Sequence, residues 1–434
     1  MLRRIFVIGV FTGAGQLYSV FVLKFISQHC TSAQLNEIAQ LDSLIFFIMN
    51  IIAFGLQSSA IRNLALAHDW KHEYYQTQSA RIAMGIILVI GSALALVNKY
   101  YLIFLIAPLL AWSGDYALYA RGSPVAGSFI SFLRLIISFS LVLMAGSFFP
   151  SYIGLTYAFS LGIIYLLTNL LISAYLKVPF FFKPGFKALK LYISSFQLGV
   201  VAISLYFIGL GLVLITPYFY SSQVVGLAFL GLKFYILYKG ILRMIHQAFV
   251  QEMADEEMCL KVDQLSIMIG FMFFGSVFIF PESFIALFFG KKFVGEENFF
   301  RLLALAALVY SFFLSMATRS MLQKKDKQYS LVAVLAASIT LLSCVLLSFY
   351  RKTTTSLSLS LCLGELTWTI GLIKISARKW EIKNRLFFGM QITLLLLLPL
   401  VVRYFLGDRL PVYLTGLGLF SLILLLLHHK KFKI

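Results

Sequence analysis

A guanidinium at position 134 stands ten residues into an apolar run that opens at Pro124. At 1.5 Å of rise per helical residue that is about 15 Å of depth, near the middle of a bilayer, where a charge costs about 2.5 to 3.5 kcal/mol on insertion scales. Arg134 therefore needs a wet or protein-lined side. Gly127, Ser131, Arg134 and Ser138 follow one another at spacings of four, three and four, which stacks small and polar groups on one helical stripe. Such a stripe is either a cavity wall or the seat of a tie between Arg134 and backbone carbonyls of packed helices. Lys233 has the matching depth in a later run, nine residues after Val224, with Gly226 and Gly240 seven residues to either side. A neighbour can approach closely there, so Lys233 is a substrate contact or a lysine packed in its neutral form.

Other polar residues punctuate the apolar runs. Arg62, Lys239 and Arg243 stand at the inner ends of two of them, and the four-residue spacing of Lys239 and Arg243 puts both on one face. Snorkelling to the headgroups is the default there, and a cytoplasmic mouth is the functional alternative. Gly55, Ser58, Ser59 and Arg62 share a small, polar face, which favours Arg62 as the mouth residue. Gln16, Asn50 and Gln57 add uncharged hydrogen-bonding groups, as cavity lining or as interhelical glue. Glu365 is the carboxylate near the middle of a run, with Ser358, Cys362 and Thr369 along its face. It pairs with a lumen base, carries a proton, or is a static salt bridge. Asp115 lies close to Arg121 and reads as its local partner.

These residues must be carried by helices in a membrane. The 434-residue chain is 60% hydrophobic and 12% charged, which excludes a water-soluble enzyme, whose charged fraction is usually about a quarter. Fourteen runs are long enough to cross about 30 Å of hydrocarbon. They are Ile5–Ile26, Ser43–Leu66, Ile82–Val97, Tyr101–Tyr119, Pro124–Ser147, Tyr152–Leu176, Leu191–Thr216, Val224–Val250, Leu265–Phe289, Phe300–Leu322, Tyr329–Tyr350, Ser356–Ile375, Leu386–Phe405 and Pro411–Leu427. Continuous apolar character means helices, since barrel strands would alternate. The expected fold is all-α and polytopic, with two six-helix lobes (1–176 and 191–376) around a central cavity. A basic connector (177–190) joins the lobes, and two further helices with a basic tail (377–434) close the chain. Placing both termini in the cytoplasm puts twenty-five lysines and arginines inside and eight outside, so much of the formal charge of +19 is a topology signal and an attraction to anionic lipid. It is no evidence for nucleic acid.

Catalytic chemistry finds no support. The six histidines (His29, His68, His72, His246, His428, His429) neither pair with a nucleophile nor form a metal motif, and no phosphate-cradling glycine loop occurs. The four cysteines lack metal or redox spacing and read as packing residues. No cofactor is expected. Two deep bases against one deep acid point to a negatively charged substrate, and short loops point to its movement rather than its conversion. Two lobes rocking about a cavity would expose it alternately to each side, with the head of an amphiphile in the wet interior and its tail in lipid.

The span count, the six-plus-six layout with two extra helices, the short loops, the abundance of phenylalanine and the segment Phe54-Gly-Leu-Gln-Ser-Ser-Ala-Ile-Arg62 resemble the polysaccharide-transporter, Wzx-type flippases of the multidrug/oligosaccharidyl-lipid/polysaccharide exporter superfamily. The resemblance covers essentially the whole chain. It implies translocation of undecaprenyl-diphosphate-linked oligosaccharides, such as O-antigen, capsule or exopolysaccharide units, across a bacterial inner membrane. It further implies a cationic lumen, proton or sodium coupling, and a glycan polymerase and glycosyltransferases as pathway partners. Arg62, Arg134 and Lys233 are the candidates for that lumen. A cation-coupled drug exporter of the same superfamily is the first rival and should carry a deep carboxylate in its amino-terminal lobe, where the sequence places none. A membrane-embedded glycan polymerase or ligase is the second, and it should carry a long outer loop with catalytic charges.

Overall fold

A computed structural model describes residues 2–66, 68–148, 153–248, 255–290, 293, 295–323, 325–376 and 379–408. The last expected span, Pro411–Leu427, and the basic tail lie outside them. Among the described residues the only regular structure is helical, and nine helices are long and apolar enough to cross a membrane, or eleven when two bent pairs are each taken as one span. The protein is a multi-pass, all-α membrane protein, and a count of fourteen spans fits the chain. Leucines and aromatic residues such as Leu17, Phe21, Leu102, Tyr175, Leu342 and Phe349 are exposed on its surface. In water such a belt would aggregate, whereas in lipid it is the solvated face.

The chain forms two compact units, Met1–Pro217 and Tyr218–Ile434. In the first, the helix Leu2–His29 packs on Pro124–Phe148, which packs on Ile153–Leu176. Ser32–Ala53 starts from a capping box in which the Thr31 amide donates to Gln34 Oε1 and the Gln34 amide to Thr31 Oγ1, at 2.9 and 3.3 Å. It stops at Phe54 and resumes as Leu56–Leu66, because Gly55 adopts φ +76°. A Cβ there would strike the backbone of Ser195 and Gly199, so this break lets the seventh span lie directly against the second. The Tyr192 and Tyr206 hydroxyls donate to the Ile52 and Ser43 carbonyls at 2.6 and 2.7 Å, completing the joint. The seventh span thus belongs to the first unit, and it is bent by 77° after Ser194.

The third and fourth spans also differ from the sequence expectation. The third begins at Trp70, twelve residues before the apolar run at Ile82, and continues beyond Leu88 as a 3-10 turn, Val89–Leu96. Asp69 caps its start, accepting from the His72 amide at 3.3 Å. Hydropathy misses this first half because its buried face is polar: Tyr74, Gln78 and Arg81, at spacings of four and three, are all buried. The fourth span is broken. Lys99–Ile106 and Ala107–Ala111 end at Trp112, and Tyr116–Ala120 follows after an unwound Trp112–Asp115.

The connector lies on the first unit. The Trp112 indole donates to the Phe180 carbonyl at 3.0 Å, the Gly185 amide to the Ser79 carbonyl at 3.0 Å, and Phe182 is buried edge-on against Tyr74. Phe181, Lys183, Phe186, Lys187 and Lys190 are exposed.

The second unit holds a phenylalanine core, with Phe234, Phe273, Phe284, Phe289 and Phe300 in mutual ring contact. At the other end of the helix Glu256–Ile279, Arg385 donates to Asp263 at 2.7 Å with both side chains fully buried. The Ser315 amide and hydroxyl bind the same carboxylate, and Arg319 bridges Glu381 and Glu256. The first of the two added helices, Lys379–Leu395, is thereby locked into the second unit rather than appended to it.

Candidate functional site

The unwound segment Trp112-Ser-Gly-Asp collects the polar groups of the first unit. Arg81, eleven residues into its helix, donates through Nη2 to Ser113 Oγ at 2.7 Å, and its guanidinium carbon lies 5.1 Å from the Tyr116 ring centre. Arg134, ten residues into its own, approaches Asp115 at 3.3 Å, donates through Nε to Thr168 Oγ1 at 2.8 Å and lies 4.3 Å over the Tyr165 ring. The two arginines enter on helices of equal reach, about 15 to 16 Å from their starts. Ser113 and Asp115 are two residues apart, so their Cα atoms lie within roughly 7 Å of each other. Between them Gly114 has no room for a side chain, since a Cβ would strike the Tyr74 hydroxyl and stand 2.9 Å from Asn169 Oδ1.

Both arginines are buried, at 4% and 7% exposure. Arg134 has a carboxylate, but among the described residues Arg81 has none within salt-bridge distance. Among the described residues Arg81 Nε and Nη1, Arg134 Nη2, and both amide atoms of the fully buried Asn169 make no hydrogen bond with the protein. Native interiors rarely leave such groups unmet, and clusters of them coincide with function.

The second unit has its own charged centre. On the helix Ser222–Ala248, Lys239 forms an ion pair with Glu365 of Thr354–Ser376, and its ammonium sits between the Tyr235 and Tyr310 rings, 4.8 and 4.5 Å from their centres. Tyr235 donates to the same Glu365 oxygen at 2.5 Å. The other oxygen, Oε2, is buried without a hydrogen bond. A largely buried lysine held between two aromatic faces and a carboxylate is not snorkelling.

The remaining sequence candidates are dispersed. Lys233 is half-buried, its ammonium 5.6 Å from the Phe229 ring centre. Arg243 and Gln57 are exposed, and the side chain of Arg62 lies outside those described. Asn50 turns its amide back on the Phe46 carbonyl at 2.7 Å. Asp115 pairs with Arg134, on another helix, and Arg121 instead lies over the Trp70 ring at 5.0 Å.

Two features escaped the sequence reading. Arg81 stood outside the apolar run, although Tyr74, Gln78 and Arg81 already share a helical face. Asp42 is the second, and it corrects the expectation that no acid lies deep in the first six spans. The apolar run begins at Ser43, but the helix begins at Ser32, and Asp42 is fully buried in it with the Tyr157 hydroxyl on its carboxylate. Among the described residues no group of three or more His, Cys, Asp or Glu is arranged to hold a metal ion.

No protein-family model and no curated protein matches the sequence. Solved structures do match in fold. The chain is similar to lipid II flippase MurJ in an inward closed conformation, with a TM-score of 0.71 and 13% identity over 96% of this chain and 98% of that one. It is similar also to an inward-facing multidrug resistance MATE family transporter of the MOP superfamily, with a TM-score of 0.58 and 13% identity over 87% and 96%. A third likeness is to the eukaryotic MATE transporter AtDTX14, with a TM-score of 0.56 and 15% identity over 89% and 96%. The fold is that of these polytopic transporters, along nearly its full length.

Proposed function

We propose that the protein translocates a lipid with an anionic glycan head, an undecaprenyl-diphosphate-linked oligosaccharide, across the bacterial inner membrane by alternating access. The observation that carries this reading is the likeness to a lipid II flippase over 96% of the chain. It is joined by deep cations in each unit, Arg81 and Arg134 in one and Lys233 and Lys239 in the other, which suit a phosphate or acidic sugar. In this reading the protein is a transporter of the Wzx type and not an enzyme, with both termini in the cytoplasm and glycosyltransferases and a polymerase acting before and after it.

Chemically, the cations exchange the hydration of the lipid-linked diphosphate for fixed charge, while the polyprenyl tail never leaves the hydrocarbon. Arg134 and Lys233 are the cations assigned to the head. Glu365 links transfer to an ion gradient in this reading, because a substrate oxyanion that draws Lys239 away strips the carboxylate of its counter-charge. Headgroup transfer in reconstituted vesicles tests the assignment: Arg134→Gln/Lys233→Gln should abolish it at normal expression, and unaltered transfer discards these two residues.

Asp42 favours a second reading, a cation-coupled exporter of the same superfamily, since it supplies the deep amino-terminal carboxylate such a protein needs. Uptake of a cationic dye by vesicles holding the purified protein, lost in Asp42→Asn, would select it.

A further inference from the structure

The break in the fourth span leaves a specific electrostatic imbalance. Among the described residues, the buried charges on the spans packed around it are Arg81, Arg134 and Asp42, and Asp115 stands in the break itself. Asp115 is taken by Arg134 and Asp42 is engaged by Tyr157, which leaves Arg81, among the described residues, with the Ser113 hydroxyl and the Tyr116 side chain and no carboxylate. A buried guanidinium without a carboxylate costs several kcal/mol, and fold stability alone would favour an apolar residue there. The unmet donors, Arg81 Nε and Nη1, Arg134 Nη2 and Asn169 Nδ2, come from three helices around one unwound segment. Donors that arrive from three helices suit an acceptor whose oxygens do not lie in one plane.

We propose that this break is a binding site for a tetrahedral phosphate-type oxyanion, held by Arg81 together with Arg134 and Asn169. Discontinuous spans are where membrane transporters can present polar backbone and side chains without facing lipid. In the described arrangement the site is shut, since Gly114 is in contact with Tyr74 and Asn169. Binding therefore opens the Trp112–Asp115 segment, whose attachments are a few hydrogen bonds and one ion pair. The site rests on the flippase reading for the lipid tail of its ligand and not for the oxyanion itself.

The test uses the full chain in nanodiscs, with inorganic diphosphate as one probe and a polyprenyl diphosphate in the bilayer as the other, read as a shift in unfolding midpoint and as an apparent affinity. Wild type is stabilised by the polyprenyl diphosphate, or by both probes if the site is open to water. Arg81→Gln loses the response at least tenfold in affinity while its ligand-free midpoint is equal to or above wild type, the opposite of what a structural ion pair would give. Asn169→Ala, which removes a neutral donor and no charge, weakens the response severalfold, and Lys183→Gln in the connector keeps it. A wild type that responds to neither probe, or an Arg81→Gln or Asn169→Ala protein that responds as wild type does, overturns the proposal. Phosphate binding without vesicle transfer would instead leave the site standing and remove the flippase reading.

Discussion

Arg134 and Glu365 are each legible in the sequence as charges too deep for lipid, but their partners are not. Arg134 is tied to Asp115 and Thr168, and Glu365 to Lys239 and Tyr235. Both ties join different spans, and spacing along one helix carries no record of a neighbour. Removing one partner of a buried pair leaves an uncompensated charge, so Lys239→Gln should lower stability by about 3 to 5 kcal/mol, and Lys239→Gln/Glu365→Gln should recover most of it. Thermal unfolding of the three proteins checks this, and additive losses would mean the pair is not coupled. Glu365→Gln alone should also remove the dependence of transfer on a proton gradient. Lys239 was hidden by its position four residues before Arg243, where a snorkelling pair is the ordinary expectation, whereas Arg243 alone is exposed.

Helix type and most span limits follow from apolar length, as at Pro124–Phe148 and Asp326–Tyr350. What length cannot show is where a span breaks for a packing reason. Gly55 lies in an otherwise unremarkable run, and only the backbone of the seventh span against it requires φ +76°. Gly55→Ala adds left-handed strain and a backbone clash, and should cost roughly 2 to 5 kcal/mol in unfolding. A wild-type midpoint in that variant would mean the joint between the second and seventh spans is loose. The fourth span offered a signal in Ser113-Gly114-Asp115, three turn-forming residues inside an apolar run, which was passed over because Asp115 had a plausible partner in Arg121. The third span hid its polar half in the same way, behind a hydropathy boundary at Ile82.

For the molecule as a whole, the asymmetry of lysine and arginine predicts an orientation that the helices alone do not. A cysteine at Lys183 in the connector should be protected from an impermeant maleimide in intact cells, while one at Lys99 should be labelled; the reverse pattern would invert the protein. Sequence identities of 13 to 15% to the transporters of like fold show why composition reached the architecture and spacing did not reach the cargo. The fold needs only apolar helices with tolerant faces, whereas the proposed cargo sites rest on a few charges such as Arg81, Asp42 and Arg134, two of them outside the apolar runs. Those charges divide the two functional readings, the oxyanion sites favouring an anionic lipid and Asp42 a cation. The most direct measurement places both cargoes in one preparation: vesicles holding the purified protein, a polyprenyl-diphosphate oligosaccharide accessible on one face only, and a cationic dye. Transfer of the glycan head to the opposite face, without dye accumulation, is the predicted result, and dye accumulation with a static glycan would contradict it.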